Sequence, residues 1–317
     1  MVRSKETSRE VYRRGNSGEG EVVMPERTLL KHWVEAQRIC KEARTRGKPR
    51  FPTGITFLDE ATGGILPGEV WIIAGRTGSG KTSLAINFAQ SIADNPENKV
   101  LFLSLEMQGW ELALRMYCEM MGVEYLQLTK GSLPMDPKNV KAFQDYIKTI
   151  NFEIEEYGYR FGEVEKAIKK HYQDSKPDVI FLDYIQLIEW QSFGDERVAL
   201  SEFSRKLAEL AKKLNIAVVV VSQLRRPPAG ANMNRPPENS DLKGSGSLEQ
   251  DAHRIIFIYQ TIEGKEPPKY FLFLAKNRGG PTLTRRVVFD GKYYRFKDIE
   301  TDPEVDATLS TFGGSVE

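Results

Sequence analysis

The chain has 317 residues with 40% hydrophobic content, enough apolar material for one large domain or two small ones. Its 45 basic and 44 acidic residues leave a net charge of +1, so bulk basicity does not hold a polyanion and local patches must. The two cysteines, Cys40 and Cys118, exclude a disulfide framework and a zinc-type cluster; with no apolar h-region in MVRSKETSREVYRRGN and no apolar run near the roughly 20 residues of a membrane span, a cytoplasmic protein with no membrane partner is expected.

Residues 1–27 are polar, rich in charge, Gly and Ser, and read as a flexible arm. In TLLKHWVEAQRICKEARTRGK the apolar positions Leu29, Trp33, Ala36, Cys40 and Ala43 recur at helical spacing, which predicts a helix within 28–50. That stretch carries seven basic residues against two acidic ones from Leu29 to Arg50, so it either packs on its own domain or links to a neighbouring subunit.

From Phe51 the pattern changes to short apolar, β-branched runs: EVWIIAG (69–75), KVLFLSLEM (99–107), PDVIFLDYIQLI (177–188), IAVVVVSQL (216–224), HRIIFIYQ (253–260) and KYFLFLAKN (269–277). Several are continuous and not alternating, the signature of strands covered on both faces. SLAINFAQSIA and VALSEFSRKLAELAKKL (198–214) are helical stretches between them. The expectation is one α/β domain over 51–300 with a mainly parallel central sheet, an antiparallel edge where the late strands are closely connected, and a loose tail over 301–317.

Residues 75–83 read GRTGSGKTS and fit G-x-x-x-x-G-K-[ST] between a predicted strand and a predicted helix. Gly75, Thr77, Gly78, Ser79, Gly80, Lys81, Thr82 and Ser83 form the candidate phosphate cradle, because glycines let backbone N–H groups approach phosphate oxygens and a helix N-terminus adds positive charge. Lys81 is expected to reach the β- and γ-phosphates, and Thr82 to offer its hydroxyl to Mg²⁺. Asp183, at the tip of an apolar strand, is the candidate second Mg²⁺ anchor. Glu106, just past another strand end, could orient or deprotonate water, and Gln223, at a third, could touch the γ-phosphate.

The order GRTGSGKT, SLEM, FLDYIQLI, VVVVSQL, DLKGSGSLEQDA, AKNRGGPT resembles the RecA-type motor domain of hexameric replicative DNA helicases, both DnaB-like and of the phage and mitochondrial primase-helicase type. The likeness runs from about Phe51 to about Phe296. It implies a RecA-like phosphate-loop fold, ATP and Mg²⁺, single-stranded DNA as partner and a ring of six subunits. It also implies that Glu106 is the catalytic glutamate, Asp183 the Walker-B residue, Gln223 the γ-phosphate sensor, and Arg278 with Lys276 an arginine finger reaching into the next subunit's site. No primase module is legible, so a separate primase or loader is expected.

The segment LRRPPAGANMNRPPENSDLKGSGSLEQ (224–250) is long, Pro-, Asn- and Gly-rich and without apolar periodicity, and it follows Gln223 directly. Arg225, Arg226 and Lys243 can neutralise phosphates, and Gly244, Ser245 and Gly246 offer backbone N–H groups with little bulk; with no aromatic residue in the segment, backbone tracking without sequence preference is expected. DLKGSG is closer to the phage and mitochondrial type and Gln223 to the bacterial one, so the subfamily stays open. So do two other readings, a RecA- or RadA-like recombinase and an accessory ring ATPase that does not unwind.

Overall fold

The computed structural model describes residues 29–47, 49–156, 161–185, 196–225, 234–242 and 245–299. The chain divides at Gly47. On its N-terminal side, helix α1 (Leu29–Arg46) is held by the ion pair of Arg38 with Glu35 at 2.6 Å and a second with Glu42 one turn on. Leu29, Trp33, Val34 and Ile39 on it are exposed.

The rest builds on a single sheet. Its elements are α2 (Thr56–Thr62), β1 (Val70–Gly75), α3 (Lys81–Ala93), β2 (Lys99–Ser104), α4 (Gly109–Met121), α5 (Tyr125–Thr129), α6 (Pro137–Ile147), β3 (Asn151–Glu156), α7 (Phe161–Asp174), β4 (Val179–Asp183), α8 (Glu196–Leu214), β5 (Ala217–Gln223), α9 (Ser245–Asp251), β6 (Arg254–Thr261), β7 (Lys269–Asn277), β8 (Leu283–Asp290) and β9 (Arg295–Asp298). Among the described residues the strand order is β3-β2-β4-β5-β1-β6-β7-β8-β9. The first six are parallel and the last three join antiparallel, as the closely connected late strands predict.

Continuous apolar runs become strands here because both faces are covered. Trp71 and Ile73 of β1 point into one core with Leu84 and Phe88 of α3 and Leu112 and Met116 of α4. Val70, Ile72 and Ala74 point into the other with Val164 of α7, Phe203 and Leu207 of α8, and Leu248 of α9. Strand β3 at the sheet edge departs from this, as do β8 and β9 at the other end: NFEIEE alternates and is only partly covered.

The 224–250 segment departs from the expectation of an unstructured loop. Leu224 bridges Leu242, Arg225 N–H donates to the Asp241 carbonyl at 2.8 Å, a 3₁₀ turn covers Asn239–Asp241, and SGSLEQD forms α9. A seven-residue helix with serine and glycine at its start has no sequence periodicity to announce it; burial of Leu248 and Ala252 against α8 holds it instead.

Candidate functional site

The C-terminal ends of β1, β2, β4 and β5 lie side by side, and the register sets what meets there. Gly75 pairs with Gln223, and Ser104 with Asp183. After β1 the chain turns through Gly78 and Gly80 at φ +78° and +90°, a conformation side chains resist, and enters α3 at Lys81. Gly80 is required for space as well: a Cβ there would meet the rings of Phe289 and Phe296 at 2.9 Å. Lys81 Nζ donates to the Arg76 carbonyl at 3.0 Å across the loop.

Past β2, Ser104 Oγ donates to the Met107 carbonyl at 2.5 Å and accepts from Met107 N–H at 3.2 Å. Leu105 N–H donates to the Asp183 carbonyl at 2.7 Å. This turn leaves Glu106 exposed beside the phosphate loop. Gln223 Nε2 donates to Thr77 Oγ1, tying the end of β5 to the loop.

These residues enclose a cavity of about 460 Å³ lined by Thr77, Gly78, Gly80, Lys81, Thr82, Ser83, Glu106, Met107, Arg115, Tyr184, Gln223, Phe289, Gly291 and Tyr294. Asp183 lies beneath it, 1% exposed, and both carboxylate oxygens are buried without a hydrogen-bond partner. Burial pushes its pKa up to about 6; the Thr82 hydroxyl opposes this, the Glu106 carboxylate adds to it, and Lys81 and Arg115 oppose it. Burial lowers Lys81 below the ordinary lysine value against the pull of Asp183 and Glu106. A buried carboxylate with unused oxygens beside a threonine hydroxyl fits a hard divalent cation with oxygen ligands.

The far wall of the cavity is not legible as a motif. The turn between β8 and β9 folds over α3: Phe296 N–H donates to Asn87 Oδ1 at 2.8 Å, and Phe289 stacks on Phe296 at 4.3 Å. Arg115 of α4 sits 4.4 Å above the Tyr294 ring, and Tyr125 meets that ring edge-on at 5.2 Å. The only sequence trace is the aromatic cluster in FDGKYYRF, which lies more than 200 residues from the loop it covers.

A second cavity of about 460 Å³ opens on the other side of the phosphate loop, sharing Thr77, Gly78 and Gln223 with the first. Arg76, Arg225 and Arg235 line it with Leu224, Ile258 and Tyr259. Arg225 is exposed at its rim. Of the other predicted strand contacts, Ser245 and Gly246 form the first residues of α9, whereas Arg226, Lys243 and Gly244 lie outside the described residues.

Lys276 and Arg278 stand apart from all of this. Trp71 near the start of β1 pairs with Arg254 at the start of β6, and Arg254 pairs with Asn277 at the end of β7. The two basic residues therefore occupy the N-terminal edge of the parallel strands, while the phosphate loop leaves the opposite edge, about 13 Å further along β1. Pairing slips between Ile255 and Ile256, leaving one extra residue in β7. Phe273 and Ala275 pack toward α8 and α9, so strict alternation would turn Lys276 away; the bulge turns it back. Lys276 Nζ donates to the Glu249 carbonyl and to that of Gln250 at 3.4 Å, and Arg278 Nη2 donates to the Gln250 carbonyl, both at the last turn of α9.

A doubly covered, mostly parallel sheet with a phosphate loop after β1 and an acidic tip on β4 defines a phosphate-loop nucleotide-binding domain of the RecA-like kind. The chain belongs to the DnaB-like helicase C terminal domain family, which it matches over residues 51–298. It is 34% identical over 255 residues to the replicative DNA helicase DnaB of Leifsonia xyli, covering 78% of this chain and 56% of that protein. It is 31% identical over 258 residues to the replicative DNA helicase DnaC of Bacillus subtilis, covering 79% and 57%. A probable plasmid replicative DNA helicase of Chlamydia trachomatis shares 33% over 253 residues, covering 79% and 55%. The chain thus spans a little over half the length of these relatives. Among solved structures, an ATPase domain superposes with a TM-score of 0.74 at 25% identity over 87% of this chain and all of that one. A DnaB-like replicative helicase studied for its interactions with primase gives 0.72 at 25% identity, over 87% of this chain and 68% of that one.

Proposed function

We propose that this chain is an ATP-driven motor that assembles into a ring, translocates on single-stranded DNA and unwinds the duplex ahead of it. One observation carries the reading. Lys81, Thr82, Glu106 and Gln223 converge on one cavity with Asp183 below it, while Lys276 and Arg278 sit at the opposite edge of the same sheet, where they cannot serve that cavity. Among the described residues the cavity's own arginine, Arg115, lies at its Tyr294 end, so a finger from the opposite edge of a second copy completes the site when two copies meet head to tail.

In this reading the phosphates lie on the amides of the phosphate loop and on Lys81, and the base end lies toward Arg115 and Tyr294. Thr82 and Asp183 would hold Mg²⁺, which would supply charge neutralisation at the phosphates. Glu106 orients the attacking water and takes its proton. Gln223, whose Nε2 donates to Thr77 Oγ1, exchanges that partner for the γ-phosphate when nucleotide binds. Because Arg225 lies two residues after Gln223 and lines the adjoining cavity with Asn234 and Arg235, nucleotide state is passed to the segment that grips the strand. Arg225, Arg226 and Lys243 neutralise backbone phosphates, and Gly244, Ser245 and Gly246 approach the chain closely.

Helix α1 docks its exposed Leu29, Trp33 and Ile39 on a neighbouring subunit, six of which close the ring. A separate primase or loader is a further partner in this reading. The test is a forked duplex with 5′ and 3′ tails. Strand separation that needs ATP and one of the two tails is expected. Filament formation with strand exchange, or hydrolysis indifferent to oligonucleotide, would overturn the reading in favour of a recombinase or an accessory ring.

A further inference from the structure

Arg254 has no part in the scheme above, yet it is a deeply buried arginine at the N-terminal sheet edge, 5% exposed. Its guanidinium is ion-paired with Glu69 at 3.5 Å, lies 5.9 Å from the centre of the Trp71 ring and donates through Nη1 to the His253 carbonyl at 3.2 Å. Its Nε is buried without a partner. A buried guanidinium so incompletely satisfied is an expensive feature, and its neighbours show what it supports.

The His253 carbonyl accepts a second hydrogen bond, from the backbone N–H of Arg278 at 3.1 Å. His253 is itself fixed on β1 from both sides: its N–H donates to the Val70 carbonyl at 2.7 Å, and its Nδ1 accepts from Val70 N–H at 3.2 Å. The next residue along, Gly279, lies directly over Arg254: a Cβ there would sit 2.9 Å from Nη2. Gly279 is exposed, and its backbone is not in the left-handed region. A Cβ at this position would thus push the guanidinium aside, and conformation does not call for the glycine. Arg254 therefore touches the turn carrying Arg278 twice, once through a shared carbonyl and once by packing under Gly279.

We propose that Arg254 is a positioning residue for Arg278: it fixes the height and direction of the finger turn, so that the guanidinium of Arg278 meets the triphosphate of the adjacent subunit. The proposal rests on the finger reading above. It separates two kinds of basic residue at one sheet edge: Lys276 and Arg278, whose side chains rest on the last carbonyls of α9 and leave them to reach the adjacent site, and Arg254, which stays buried and never meets nucleotide.

The experiment compares Arg254→Met, Gly279→Ala, Arg254→Lys and Arg278→Ala in the full chain, each checked by thermal melting and by affinity for a non-hydrolysable ATP analogue. Gly279→Ala retains both Arg254 and Glu69 and displaces the guanidinium from the Nη2 side, so it tests placement without removing a buried charge. Arg254→Met and Gly279→Ala are expected to lower kcat for DNA-stimulated hydrolysis by about tenfold to a hundredfold, the scale of a small misplacement, with KM and analogue affinity unchanged. Arg254→Lys, which keeps a donor for Glu69 and His253, is expected to recover most of the rate.

Each variant is then mixed with Lys81→Ala subunits, which have a dead site but an intact finger, and single-turnover hydrolysis is read. Recovery of Arg254→Met and Gly279→Ala by mixing supports the proposal. Wild-type kcat in Gly279→Ala, or a loss that mixing does not recover while that of Arg278→Ala is recovered, overturns it and leaves the finger reading standing. If Arg278→Ala itself is not recovered, the finger reading fails and the proposal with it.

Discussion

At the C-terminal ends of β1, β2, β4 and β5 the sheet gathers a phosphate loop, the buried Asp183 carboxylate beside the Thr82 hydroxyl, and an exposed glutamate around one cavity. At the N-terminal edge, among the described residues, nearly every group is already engaged. Arg254 holds Glu69 and the His253 carbonyl, that carbonyl also takes Arg278 N–H, and the side chains of Lys276 and Arg278 rest on the last carbonyls of α9. The difference teaches which edge is built to receive a ligand and which is built to deliver a side chain in fixed geometry. Helix α9 begins at Ser245, and the carbonyls of its last turn take the side chains of Lys276 and Arg278.

The comparison breaks most visibly at Arg278. Replacing it by alanine should lower DNA-stimulated hydrolysis by about 10³- to 10⁵-fold, the usual value of such a finger, while nucleotide affinity at the subunit's own cavity stays within a fewfold of wild type in a filter-binding assay. Equal loss of binding would place the residue in its own site. Glu106→Gln should lower single-turnover hydrolysis by about 10²- to 10⁴-fold, as expected for loss of a general base, and should trap bound ATP and DNA instead of releasing them.

Asp183→Asn sharpens the contrast in a different way, because it should harm function and help the empty fold. The carboxyl's pKa is raised from 3.8 to about 6, so its ionised form is disfavoured in the folded protein. That cost is absent below the unfolded value, grows as pH rises from about 4 to about 6 and is complete above it. Two pKa units correspond to about 3 kcal/mol as an upper bound. Nucleotide-free Asp183→Asn protein should therefore melt higher than wild type at pH 8, with the gap closing below pH 4, and should hydrolyse no ATP. A lower melting point at pH 8 would mean the carboxylate is a structural anchor. The smallest effect is at Arg225: its alanine variant should bind oligonucleotides of different sequence more weakly to the same degree, with the salt dependence of binding reduced by about one unit of slope.

How much of the fold and site is legible in the sequence follows from the range of the interactions. GRTGSGKTS, SLEM and FLDY are local patterns, and the rule that such tips gather at the C-terminal ends of parallel strands is enough to assemble Lys81, Glu106 and Asp183. The same rule places Gln223. The aromatic turn over the cavity is not legible, because Phe289 and Tyr294 meet α3 and α4 only through the pairing of three late strands. Helix α9 is hidden in a loop-like sequence because it owes its existence to Leu248 and Ala252 against α8. His253 and Arg254 look like ordinary strand-start residues; only the register of β6 with β1 and β7 puts them beneath the finger turn. The β7 bulge that turns Lys276 toward α9 leaves no mark in KYFLFLAKN at all.

The hydrolysis rate per subunit, followed with saturating single-stranded oligonucleotide across a dilution series while light scattering reports mass, goes straight to the division of labour between the two edges. If each cavity depends on another copy's Arg278, the rate per subunit falls toward zero as the assembly dissociates, and it tracks the assembled fraction. A rate per subunit that stays constant down to the isolated monomer would contradict the account.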